Sequence, residues 1–135
     1  MSLIEQLKRH EGRSLKPYKC TANKTTIGYG RNLDGNGISL EEAEIMLIND
    51  IREVESELSR KLMAFISLSK PRQDALVNMG FNLGVAGLLK FNNMIEALNH
   101  ADYERAAREM LNSKWAKQVG KRADDLARQM KEGTY

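Results

Sequence analysis

The chain has 135 residues, of which 41% are hydrophobic and 29% charged, so one domain, or two small lobes on one chain, with a sizeable core is expected. Twenty-one Lys and Arg against eighteen Asp and Glu leave a net charge of +3, a mild basic bias that suits an acidic partner such as a cell-wall polymer or nucleic acid and selects neither. A single cysteine, Cys20, excludes an internal disulfide, and the separated His10 and His100 leave no zinc cluster. No apolar run approaches the roughly 18 residues of a membrane span, and the first ten residues lack the apolar region of a signal peptide. The expectation is a product soluble in the cytoplasm on synthesis.

In chain order, Ser2 and Glu5 have capping-box spacing and Leu3, Ile4 and Leu7 form a short apolar stripe. This predicts a first helix from about Leu3 to Glu11, stopped by Gly12. Pro17, Tyr18, Thr25, Thr26, Ile27 and Tyr29, interspersed with glycine, predict a small twisted hairpin sheet between about Pro17 and Leu33. Asp34-Gly35-Asn36-Gly37 reads as two consecutive turn dipeptides. Ser39 and Glu42 make a second capping box, opening a long helix with Ala43, Leu47, Ile51, Val54, Leu58 and Leu62 at steps of three or four and an end near Phe65. Ser69 with Pro71 marks the next start, and Leu76, Met79 and Leu83 continue a buried helix closed by Gly84. Asn92 or Asn93 is the expected cap of a helix over Met94 to Asn99, and Asp102 of one over Tyr103 to Leu111. A last helix covers about Lys121 to Lys131. The fold class expected is α+β and mostly helical. A small α/β lobe covers about residues 12–38, a linking helix about 39–65, and a helical lobe about 66–135, with helix 1 packed on that lobe.

The chemistry points to the stretch from Glu11 to Gly30. Glu11 continues the stripe of Leu3 and Leu7 and is expected to face inward. It also occupies the last helical turn, where the negative end of the macrodipole opposes a second negative charge. Both effects are expected to raise its pKa, as a general acid in glycoside hydrolysis requires. The plainer alternative is a surface carboxylate on a frayed helix end. The hairpin that follows carries Cys20 and Thr26 back over that end, placing a thiol and a hydroxyl where a water molecule is held in an inverting glycosidase.

Glu11, Cys20 and Thr26-Ile27-Gly28-Tyr29-Gly30, in this spacing, resemble the catalytic region of the phage-type lysozymes, the T-even phage lysozyme family of endolysins (glycoside hydrolase family 24). The resemblance continues in Asn78-Met79-Gly80-Phe81-Asn82-Leu83-Gly84, Phe91-Asn92-Asn93, Ala106-Ala107, Ser113-Lys114-Trp115, Arg122-Ala123 and Gly133-Thr134-Tyr135, covering nearly the whole chain in order. It implies a lysozyme-like two-lobed fold. It also implies a muramidase that cleaves the β-1,4 bond between N-acetylmuramic acid and N-acetylglucosamine in peptidoglycan. Glu11 would be the general acid, position 20 would assist the water or stabilise the transition state, and Thr26 would position the water. Gly30, Arg31, Asn82, Phe91, Gln118 and Arg122 match substrate-binding positions. Asn82 and Gln118 would bond acetamido or hydroxyl groups, and Arg122 would meet a peptide or lactyl carboxylate.

Two departures stand out. Position 20, usually aspartate, is Cys20, whose thiol is mostly neutral at pH 7 unless Lys19 and Lys24 lower its pKa. With a thiolate it substitutes for the carboxylate as an anion or attacks the sugar itself; the alternative is a half-buried strand residue with no chemical duty. Arg31 stands where the family often has a histidine that reads as part of a structural ion pair, which puts any equivalent pairing in question. Asn32 to Ile38 also leaves little room for the extra loop and short helix of larger members. Trp115, Phe81, Phe91 and the seven methionines read as core, and His10 as solvent-facing.

A cysteine peptidase or amidase lacks a recognisable histidine partner for Cys20, and interspersed acids leave no basic stripe for nucleic acid. A wall-binding accessory protein with the same fold is the remaining alternative. The expected partner is peptidoglycan, with no nucleic acid and no stable membrane association. The expected state is a monomer, without metal or cofactor, that reaches the periplasmic wall through a separate holin lesion.

Overall fold

In this computed structural model, which describes residues 2–135, helices make up 68% of the chain and one small antiparallel sheet lies near the N-terminus. The α+β, mostly helical expectation is met. The chain divides into two compact units, 1–46 and 47–135.

In the first unit, α1 (Leu3–Glu11) starts as the sequence predicts, because the Ser2 hydroxyl accepts the Glu5 N–H while the Glu5 carboxylate accepts the Ser2 N–H. Its stripe does not bury: Leu3, Ile4, Leu7 and Glu11 are all exposed. The inward placement expected for Glu11 is therefore not found, whereas its place in the last turn is. The sheet has the order β1-β2-β3, with β1 (Ser14–Lys19), β2 (Thr25–Gly28) and β3 (Arg31–Asn32) antiparallel. Thr26 pairs with Tyr18 on one side and Asn32 on the other.

The expected turn at Asp34-Gly35-Asn36-Gly37 is instead mostly a single helical turn, α2 (Leu33–Asn36). Asn32 caps it by accepting the Gly35 N–H, so a local side chain overrides the turn signal. The second capping box is present, Ser39 and Glu42 exchanging their bonds at the start of α3 (Leu40–Lys61). The helix stops at Lys61, short of Phe65, which opens a single 3-10 turn. Its stripe is half realised. Leu47 is exposed, Ile51 and Val54 pack partly buried on the core, and Leu58 and Leu62 are buried.

The second unit holds the core. It comprises the rest of α3, α4 (Lys70–Leu83), α5 (Val85–Leu88), α6 (Asn92–Asn99), α7 (Tyr103–Leu111), α8 (Lys114–Val119) and α9 (Lys121–Glu132). Leu58, Leu76, Met79, Leu88, Met94, Met110 and Met130 are fully enclosed. Asp102 caps α7 as expected. α6 begins two residues before Met94, with Phe91 at its cap and no side-chain bond there, so neither Asn92 nor Asn93 caps it. The short α5 and α8 lie outside the sequence reading, although Ser113 caps α8 by accepting the Ala116 N–H. The methionine expectation holds for Met79, Met94, Met110 and Met130 but fails for Met46 and Met63, which are exposed; Met1 lies outside the described residues. Phe81 is likewise exposed, not core. Arg72 fastens the C-terminal end: it donates to the carbonyls of Met130 (2.7 Å) and Lys131 (2.9 Å) and stacks on the Tyr103 ring at 3.8 Å.

Candidate active site

Glu11, Cys20, Thr26, Gly30 and Arg31 all fall in the first unit. Glu11 ends α1, and its carboxyl lies against Gly30 in the turn between β2 and β3. A Cβ at Gly30 would sit 2.9 Å from Glu11 Oε2, and Gly30 has φ +83°. Only glycine gives both the backbone conformation and the room for that carboxyl.

Cys20 follows β1 and opens a tight turn. Its N–H donates to the Lys24 carbonyl (3.0 Å), its carbonyl accepts the Asn23 N–H (2.8 Å), and Asn23 takes φ +60°. This turn aims backbone N–H groups at the half-buried thiol. The Lys24 N–H is the largest influence lowering its pKa, followed by the Thr26 hydroxyl and the Ala22 N–H. Hydrogen bonds, and not the charges of Lys19 and Lys24, are what lower it.

Among the described residues Thr26 is the one buried polar residue, 4% exposed in the central strand. Its hydroxyl donates to the Lys24 carbonyl at 2.8 Å. A hydroxyl has one proton, so it turns toward a Cys20 thiolate only by releasing that carbonyl. The backbone N–H groups are the fixed part of the thiol's environment.

Arg31 forms the pairing that its replacement of histidine had put in question. Its guanidinium grips Glu42 through two bonds of 2.9 Å and donates to the Gly37 carbonyl at 3.0 Å. With the Ser39 N–H also bonded to that carboxylate, the Glu42 pKa is lowered to about 2, Arg31 being the larger cause. Tyr29, Gly30 and Arg31 line a groove of about 700 Å³.

Asn82, Phe91, Gln118 and Arg122 lie in the second unit. Asn82 accepts the Trp115 indole N–H at 2.8 Å, and Phe91 meets the same ring edge-on at 6.4 Å. Trp115 is buried, the core anchor expected of it. Gln118 is exposed on α8. Arg122 is held by the Asn78 side chain at 3.0 and 2.7 Å and, with Phe81, lines a groove of about 410 Å³. Phe91 belongs to a different recess, of about 390 Å³, with Lys90, Asn92, Asn93, Asn112 and Ser113. Sequence reasoning missed Asn78 as the holder of Arg122 and Glu42 as the holder of Arg31. Both lay within stretches it had singled out, the block at 78–84 and the capping box at 39–42.

The phage lysozyme family model matches residues 8–132. The chain belongs to the phage lysozyme family. It is 35% identical to an endolysin of Acyrthosiphon pisum secondary endosymbiont phage 1 over 119 residues, covering 86% of this chain and 80% of that protein. It is 32% identical to the endolysin of Bacillus phage B103, covering 96% of this chain but 49% of that protein. It is also 31% identical to the pre-baseplate central spike protein Gp5 of Enterobacteria phage T4, covering 91% of this chain and 26% of that protein. The family model thus spans every candidate residue, from Glu11 through Arg122.

Proposed function

We propose that the protein is an endolysin that hydrolyses the β-1,4 bond between N-acetylmuramic acid and N-acetylglucosamine in peptidoglycan. The observation that carries the reading is that the helix-end carboxyl of Glu11, seated against Gly30, and Cys20, in its tight turn, fall in one compact unit of a phage lysozyme family member. Glu11, seated against Gly30, protonates the departing glycosidic oxygen as general acid. Cys20 takes the place of the usual aspartate. Its thiolate, held by the N–H groups of Lys24 and Ala22, acts with the Thr26 hydroxyl to orient or activate the attacking water.

Asn82, Phe91, Gln118 and Arg122 are proposed to contact the glycan or its peptide. Gly30 and Arg31 do so from the groove of the first unit. The protein is proposed to act as a monomer on the host wall, reached from the cytoplasm through a separate holin lesion, without metal, cofactor or nucleic acid.

The test is release of reducing sugar ends from purified peptidoglycan by the wild type, Glu11→Gln and Cys20→Ala. Release is expected from the wild type and none from Glu11→Gln. A folded wild type that sediments with peptidoglycan without releasing reducing ends would overturn the reading in favour of a wall-binding accessory protein.

A further inference from the structure

From Gly12 to Leu33 the chain carries five cations, Arg13, Lys16, Lys19, Lys24 and Arg31, and no acid. Two of them are occupied, Arg31 by Glu42 and Lys19 by the Thr25 hydroxyl. Among the described residues Arg13, Lys16 and Lys24 enter no ion pair. Asp34, whose carboxylate accepts the Thr25 N–H, is the acid that Lys19 and Lys24 feel.

The cations do not stand alone. β1 is an edge strand of the sheet, and on it Leu15 is 78% exposed and Tyr18 38% exposed, interleaved with Arg13, Lys16 and Lys19. An edge rich in lysine resists pairing with another strand. Charge alone would suit any phosphate-bearing polymer, but an exposed leucine and tyrosine set among cations suit a surface with phosphates outside and hydrocarbon beneath. Tyrosine places its ring at such an interface with its hydroxyl in water.

We propose that the β1 edge and its turn are a peripheral docking surface for an anionic phospholipid membrane. Arg13, Lys16 and Lys24 meet the headgroup phosphates while Leu15 and Tyr18 enter the interface. Attachment through these side chains at the interface is peripheral; among the described residues no helix is long and apolar enough to cross a membrane. The inference is independent of the muramidase reading, because it requires no turnover.

The probe is sedimentation of the intact protein with vesicles of phosphatidylglycerol in phosphatidylethanolamine, against vesicles of phosphatidylcholine alone. Binding to the anionic vesicles only, weakening with salt, is expected. The double variant Arg13→Gln/Lys16→Gln should bind about 30-fold more weakly, at about 1 kcal/mol per cation near such a surface. Leu15→Ser should weaken vesicle binding while leaving binding to inorganic polyphosphate unchanged. Circular dichroism confirms that each variant is folded, and the salt dependence needs no variant. A wild type that ignores anionic vesicles, or a folded double variant that binds them undiminished, would overturn the proposal. Vesicle binding unaffected by Leu15→Ser and fully competed by polyphosphate would assign the strip to phosphate polymers and overturn the lipid assignment.

Discussion

The two units of this chain are held together by different forces. Among the described residues every buried apolar side chain lies in the second unit, from Leu58 to Met130, whereas the first unit buries only Thr26, through its place in the central strand. The first unit is tied instead by capping boxes at Ser2 and Ser39, by the Arg31 and Glu42 pair, and by the Asp34 carboxylate on the Thr25 N–H. A core responds to lost volume; a hydrogen-bonded frame responds to geometry and pH. The candidate catalytic side chains sit in the frame, where local stability is expected to be lowest and loss of one contact most directly felt.

The comparison is broken most severely through the core. Leu76→Ala, at a fully enclosed position in α4, should cost about 2 to 5 kcal/mol in denaturant unfolding through lost burial and the cavity left behind. A cost below about 1 kcal/mol would show that the second unit is not held as described.

Gly30→Ala attacks the frame by geometry. The added Cβ lands 2.9 Å from Glu11 Oε2 at a backbone with φ +83°, so strain of about 1 to 3 kcal/mol accompanies displacement of the carboxyl. Reducing-end release should fall about 100-fold, since a misplaced catalytic group loses that much. A variant with wild-type release would remove Gly30 from the positioning of Glu11.

Cys20 sharpens the comparison through its titration. Hydrogen bonds, first from the Lys24 N–H, lower its pKa, so iodoacetamide alkylation should reach half-maximal rate below the ordinary thiol value of about 8.5. Activity that depends on the thiolate should rise with pH through the same midpoint. Cys20→Ala should abolish that rise, and Cys20→Asp should keep release at neutral pH without it. An alkylation midpoint at or above the ordinary value would contradict the role of the turn.

The difference between the units also explains what the sequence made legible. Local signals were readable, namely both capping boxes and the stops at Gly12 and Gly84, because each acts between near neighbours. The α+β class followed from them. Exposure was not readable, since the same periodicity that buries Leu58 leaves Leu3, Leu47 and Phe81 in the open. The setting of Cys20 was read only in part. The neighbouring lysines were visible as charges, but their effect depends on a turn with Asn23 at φ +60° that points the Lys24 backbone at the sulfur. Asn82 and Arg122 were found as residues, while their partners Trp115 and Asn78 lie 33 and 44 positions away and are set by tertiary packing.

The smallest effect belongs to Glu42, and it separates the units by pH. Its carboxyl is lowered to about 2 in the folded chain, first by the Arg31 guanidinium and then by the Ser39 N–H, against about 4.3 for an unperturbed glutamate. A lowered carboxylate stabilises the fold fully above its unfolded value and loses that contribution as pH falls through its folded value. The pair's contribution should therefore be complete above about pH 5 and disappear between there and about pH 2. Both side chains are well exposed, so the effect is modest and weakens with salt. Glu42→Gln should flatten this part of the acid profile, read from Tyr18 and Tyr29 signals by NMR in the first unit, while resonances of Met94 and Met110 in the second unit stay unchanged. Equal acid sensitivity of both sets in the wild type, unaltered by Glu42→Gln, would mean that the Arg31 pair does not set the pH response of the first unit.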